Sequence, residues 1–157
     1  PPMPHAACHA TACVLNGRLY VMGGVGSNKL QVLEMTEENG LSWSCKADLP
    51  ADRWHAASAV YGGRIWLIGG FLTGEGPSNS VITYDAEADY WETGPPLPSP
   101  CSRCRAAAVD GKIFVCHDNR VYQYGAGING AGGGWQEAPA DAIERASYAA
   151  CESVLLG

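Results

Sequence analysis

The sequence predicts an all-β fold built from repeated four-stranded antiparallel units stacked around an axis. Three observations predict it. The phrase RLYVMGG at residues 18–24 returns as RIWLIGG at 64–70 and, without its glycines, as KIFVCHD at 112–118. Gly17, Gly63 and Gly111 close the turn pairs NG, GG and DG and lie 46 and 48 residues apart. Trp43, Trp91 and Trp135 follow in the same order, 48 and 44 residues apart. Landmarks that recur in fixed order at such a period mark a repeat architecture.

Each unit reads as four strands. The first is rich in small residues: HATACVL (9–15), HAASAVY (55–61) and RCRAAAV (103–109). A two-residue turn follows, of the kind that needs positive φ at both positions. The second strand is the opening phrase, apolar at successive positions and therefore expected to be buried on both faces. A variable loop leads to the third strand, VLEMT, VITYD or VYQYG, with Tyr84 and Tyr124 near its end. The fourth carries the tryptophan and runs into a proline-bearing loop. A unit with two apolar faces cannot stand alone, but copies stacked about an axis bury them, which is a β-propeller. The alanine-rich strand fits the crowded inner position and the tryptophan strand the outer one.

Composition bounds the function. With 46% apolar and 17% charged residues the chain can bury a core. A net charge of −6 argues against a phosphate-binding surface and so against nucleic acid. No apolar run approaches the ~18 residues that span a bilayer, so no membrane partner is expected. Seven cysteines without a compact framework spacing read as reduced thiols, pointing to the cytosol or nucleus.

Gly69-Gly70, Tyr84-Asp85 and Trp91 resemble one nearly complete kelch repeat. Gly23-Gly24 and Trp43 carry a second copy, with Met35-Thr36 in place of Tyr-Asp. Tyr124 and Trp135 carry a third, with His117-Asp118 in place of Gly-Gly. The resemblance implies a kelch-type β-propeller of about three blades: repeat 1 over about 5–50, repeat 2 over about 51–98 and repeat 3 over about 99–140. ERASYAACESVLLG starts a fourth at about 141–157. Kelch propellers close with more blades than three, so this arc is expected to belong to a longer propeller, to pair with a second copy as a homodimer, or to be capped by a partner. The resemblance makes Gly23, Gly24, Gly69, Gly70, Trp43, Trp91 and Trp135 structural. It also makes Arg53 and Arg145 structural arginines ahead of the inner strand, bonding loop carbonyls between blades.

In propellers, function sits in loops at the channel mouths. Two loop sets are expected on one face: residues 25–30, 71–80 and 118–120, and residues 48–55, 95–103 and 139–147. Eight residues before each turn glycine stand His9, His55 and Arg103, with Ser147 at the approximate equivalent. In kelch domains that bind acidic peptides this position often carries arginine, so the four are candidate partner-binding residues. Asn28, Asn79 and Asn119 are candidates from the other loop set.

Cys101, Cys104, Cys116 and His117 are ligand types that suit zinc, but their spacing matches no finger and small buried thiols are common on such strands. His5, Cys8 and His9 lie on an extended segment that does not suit a metal. No metal and no cofactor is expected, and no nucleophile–base–acid set can be assembled. The expected function is a non-catalytic protein-interaction module, as in the substrate-recognition part of a ubiquitin-ligase adaptor carrying a BTB or F-box domain. The alternative is a carbohydrate-binding or enzymatic propeller resembling galactose oxidase or the sialic-acid epimerases.

Overall fold

The computed structural model of the chain describes residues 1–36, 40–125 and 133–138. Among these every regular element is a strand, and no helix is long and apolar enough to cross a membrane. Three four-stranded antiparallel sheets form the blades. The first is β1 (Thr11–Leu15), β2 (Arg18–Met22), β3 (Leu30–Thr36) and β4 (Gly40–Lys46), paired in that order. The second is β6 (Ala57–Tyr61), β7 (Arg64–Ile68), β10 (Val81–Asp85) and β11 (Tyr90–Gly94). The third is β12 (Arg105–Val109), β13 (Lys112–His117), β14 (Arg120–Gly125) and β15 (Gly134–Glu137). The turns after β1, β6 and β12 have positive φ at both residues: Asn16 and Gly17, Gly62 and Gly63, Asp110 and Gly111. This is the mirror-image turn whose twist matches the flanking strands.

Period-2 alternation decides which way each side chain of the middle blade faces. Ile65 and Leu67 of β7 join Ile82 and Tyr84 in a cluster with Tyr20, Met22, Leu30 and Val32 of the first blade. Trp66 and Ile68 face the other way and meet Ile113, Val115 and Tyr122 of the third. The middle blade is thus buried on both faces, as its continuous apolar phrase requires. The tryptophans tie successive blades together: Trp91 Nε1–H donates to the Ala47 carbonyl (3.0 Å) and Trp135 Nε1–H to that of Pro95 (2.8 Å). Each acceptor lies just past the outer strand of the preceding blade. Trp43 makes the same bond to Pro1 (3.0 Å), and the Gln31 side chain pairs with both backbone groups of His5. The N-terminal residues therefore occupy, on the first blade, the place that a preceding blade's exit loop occupies on the others.

The Gly-Gly pairs have a steric cause. Gly70 has φ 92°, its N–H donates to the Cys101 carbonyl (2.7 Å), and a Cβ there would lie 2.8 Å from the Trp54 carbonyl. Gly24 N–H makes the equivalent bond to the Arg53 carbonyl (2.8 Å), and a Cβ on Gly23 would overlap that same carbonyl. Only glycine lets these loops come this close, the next blade's at Gly23 and its own blade's entry at Gly70. The third blade differs. Its β13 runs on to pair His117 with Arg120 across the turn residues Asp118 and Asn119. Asp118 takes φ 51°, which aspartate tolerates. The glycines are lost where the long loop has been cut to a hairpin.

Two features differ from the sequence reading. The inner strands begin at Thr11, Ala57 and Arg105 rather than at residues 9, 55 and 103, because His9, His55 and Arg103 have φ 58°, 54° and 57° and cannot continue a strand. Within residues 71–80, expected as plain loop, lies part of a small three-stranded sheet: β5 (Arg53–Trp54), β8 (Phe71–Leu72) and β9 (Gly76–Pro77), ordered β5-β8-β9.

Candidate functional site at the inner-strand mouth

The inner strands β1, β6 and β12 start side by side, and the residue two positions before each start is left-handed. His9, His55 and Arg103 are also chained together: the His55 N–H donates to the His9 carbonyl (3.0 Å) and the Arg103 N–H to the His55 carbonyl (2.8 Å). The residues singled out by spacing are therefore brought together by a repeated backbone device. A non-glycine residue in this region costs on the order of 1–3 kcal/mol, and such strain persists only where the surroundings impose it. Here the inter-blade hydrogen bond imposes it, and the result is to turn three polar side chains toward one mouth.

That mouth is a cavity of about 440 Å³ lined by residues 9–12, 55–58 and 103–106. Its walls are broad because the strands present alanines (Ala12, Ala57, Ala106), and its floor is polar. Thr11 Oγ1 and Ser58 Oγ lie 2.8 Å apart, and Ser58 Oγ–H also reaches the Ala12 carbonyl (3.2 Å). The His9 and His55 rings sit with centroids 4.2 Å apart. Arg103 and Arg105 complete the rim, and no carboxylate is among the lining residues. Desolvation, then the nearness of His9, Arg103 and Arg105, holds the His55 imidazole below its ordinary pKa of 6.5. In a chain of net charge −6 this mouth is a local cationic exception.

An aromatic shoulder stands beside it. Trp54 and Phe71 are held next to each other by the β5–β8 pairing and stack with centroids 5.7 Å apart and planes 13° from parallel. Phe71 also meets the His55 ring edge at 6.2 Å. Both aromatics are half-buried, yet neither belongs to the blade cores. Sequence reasoning missed Trp54, Phe71 and Arg105. The available signal was a tryptophan directly before the polar His55 and a large apolar residue directly after a Gly-Gly exit.

The other candidates divide. Asn28 and Asn79, expected to face a partner, are instead engaged in the scaffold. Asn28 Nδ2 donates to the Leu49 carbonyl (3.3 Å) and Asn79 Nδ2 to that of Leu97 (3.0 Å), while the Leu49 and Leu97 N–H groups donate back to the asparagine carbonyls. Asparagine suits this because its amide continues a backbone-like ladder into a loop. Asn119 lies in the β13–β14 hairpin, in a separate shallow cleft with Ser99, His117, Asp118 and Arg120. Ser147 and Arg145 lie outside the described residues. Arg53 is buried and donates from Nη1 to the Gly69 and Ser80 carbonyls (2.7 and 3.1 Å) and from Nη2 to Ser80 Oγ (2.7 Å). These acceptors belong to its own blade, so the guanidinium braces that blade, and only the Arg53 backbone carbonyl reaches across to the first one.

Chemically, two imidazoles and two guanidinium groups around an open, polar-floored cavity suit an anionic group, and the aromatic shoulder suits an apolar one next to it. Among the described residues neither His9 nor His55 has a carboxylate partner, and no three His, Cys, Asp or Glu side chains converge as metal ligands.

Comparison with known proteins agrees with this architecture. The family model described as the kelch motif matches residues 6–35 and 53–98. The chain is 32% identical over 141 residues to human kelch repeat and BTB domain-containing protein 12, covering 73% of this chain and 22% of that protein. It is 31% identical to alpha-scruin of Limulus polyphemus, covering 71% of this chain and 13% of that protein. It is 27% identical to the F-box protein AFR of Arabidopsis thaliana, covering 73% and 33%. The chain therefore spans a minor part of the length of each of these relatives. It superposes on the solved structure of YjhT with a TM-score of 0.75 at 16% identity, over 88% of this chain and 53% of that one, a likeness of fold.

Proposed function

Because this chain belongs to the kelch-repeat family and has the family's β-propeller fold, we propose that it is a non-catalytic protein-interaction module that takes its partner at the inner-strand mouth. The observation that carries the reading is the convergence of His9, His55 and Arg103. One backbone arrangement, repeated in three blades at a conformational cost, directs each of them to a common cavity. A scaffold serving only to stack blades has no need of polar side chains there. The two-sided apolar packing of the blades supports reading the module as part of a closed propeller, completed by further blades of a longer chain or by a second copy. Relatives named for a BTB domain and for an F-box support a finer reading, the substrate-recognition part of a ubiquitin-ligase adaptor acting in the cytosol or nucleus.

The test is a comparative pull-down from cell extract with the full-length protein and its His55→Asn, Arg103→Asn double variant. Asparagine is chosen because it tolerates positive φ, so the fold is left in place. The expected result is loss of a stoichiometric client by the variant while its melting temperature stays within a few degrees of the parent. Recovery of cullin and ubiquitin machinery by both proteins would support the adaptor role. An unchanged client set with the variant would overturn the assignment of the mouth.

A further inference from the structure

The CSRC stretch at residues 101–104 brackets Arg103, and its two thiols are brought together in the fold. Cys101 Sγ and Cys104 Sγ lie 3.0 Å apart, short for an S–H···S hydrogen bond, and both residues are buried. The pair is peculiar to the third blade. The positions that correspond to Cys101 and Cys104 in the second blade are Arg53 and Ala56. A small residue opposite makes room for it, since a Cβ on Gly69 would overlap Cys101 Sγ. Cys104 also lines the mouth cavity, which places the buried pair next to that opening.

We propose that Cys101 and Cys104 form a reversible dithiol–disulfide pair, oxidised by hydroperoxides that enter through the mouth. The Cys104 thiolate attacks one oxygen of the hydroperoxide, the O–O bond breaks, and the departing oxygen leaves as an alcohol or water after taking a proton. Cys104 is then a sulfenic acid. Cys101 attacks its sulfur, the S–S bond forms, and the sulfenyl oxygen leaves as water with the remaining proton. Two electrons pass from the two thiols to the peroxide. The hydrogen bond donated by Cys101 favours the Cys104 thiolate, and the Arg105 charge adds to it in a smaller measure, so Cys104 is the attacking sulfur. Closing the bond brings the sulfurs from 3.0 Å to about 2.05 Å. The contraction acts on a loop whose Cys101 carbonyl is held by Gly70 N–H and whose Arg103 N–H holds the His55 carbonyl. On the reading of the mouth given above, oxidation therefore resets Arg103 and with it partner affinity.

The experiment needs no partner, so its failure and the failure of that reading are separable. The reduced full chain is treated with hydrogen peroxide, its remaining thiols are alkylated, and it is digested with trypsin, which cuts between Arg103 and Cys104. The expected result is a linked pair of peptides, one ending at Arg103 and one beginning at Cys104, which separate on treatment with dithiothreitol. Cys104→Ser should abolish the linkage, and Cys101→Ser should leave a sulfenic acid on Cys104 that a dimedone reagent labels. The exposed Cys8 and Cys45 serve as the internal reference. Oxidation of those two with Cys101 and Cys104 still fully alkylated would overturn the proposal, as would a link from Cys101 to any other cysteine.

Discussion

His55 shows how much one residue's conformation settles. Its left-handed backbone places its imidazole against His9 and near Arg103 and Arg105. Desolvation and these neighbours disfavour the protonated form. The folded chain therefore binds fewer protons than the unfolded one between the ordinary pKa of 6.5 and the lower folded value. Linkage then gives the sign: this group's contribution is neutral above the unfolded pKa, and stability falls as pH drops through the window, with the loss complete below the folded value. Titration of the imidazole ring signals by NMR should find His55 below the ordinary histidine range, with Arg103→Asn moving it upward. A His55 midpoint unmoved by that substitution would mean that the two side chains are not neighbours in solution. Arg53, also a cation, has the opposite assignment. Buried and bonded to two carbonyls and a hydroxyl, it belongs to the scaffold.

At the scale of elements, β7 is the strand on which the stack depends. Its Trp66 is 8% exposed, donates Nε1–H to the Tyr61 carbonyl (3.2 Å) and packs 4.7 Å from the Tyr124 ring of the third blade. Trp66→Asp removes a large aromatic contact, worth about 3–5 kcal/mol. It also leaves a carboxylate among apolar side chains, at a further cost of several kcal/mol. Against a typical total of about 5–15 kcal/mol, soluble expression should be abolished. Wild-type yield would contradict the placement of β7 at the blade interface. The apolar run in RIWLIGG made this strand legible in advance. The small sheet β5-β8-β9 was not legible, because two-residue strands carry no periodicity and form only after the Gly-Gly exits have brought two loops together.

At the scale of the whole molecule, the first blade presents an apolar outer face. Val14, Leu19, Leu33 and Trp43 form one cross-strand row on it, and Val14 is 62% exposed. On the other blades the equivalent tryptophan bond accompanies a packed neighbour, and in the closed propeller proposed above a further blade would cover this row in the same way. In the closed propeller Val14→Asp should destabilise by about 2 kcal/mol or more, as a charge does in an apolar contact. In the isolated three-blade chain it should cost less than about 0.5 kcal/mol, as at a surface position. Denaturant melts of the two forms make the comparison, and equal small effects would show that the face stays in solvent.

The repeat, the four-stranded blades, the inner place of the alanine-rich strand and the grouping of His9, His55 and Arg103 were all determined by the sequence itself. These follow from periodicity, turn chemistry and side-chain size, which are local and recur at fixed spacing. Only the tertiary structure decided what each polar side chain does. Asn28 and Asn79 face loop carbonyls, Arg53 braces its own blade, Trp54 and Phe71 shoulder the mouth, and the CSRC thiols meet beneath Arg103. The physical reason is that a hydrogen bond, a ring stack or a sulfur pair depends on distances between residues tens of positions apart or on the direction of a loop. Neither is written in the spacing of a repeat.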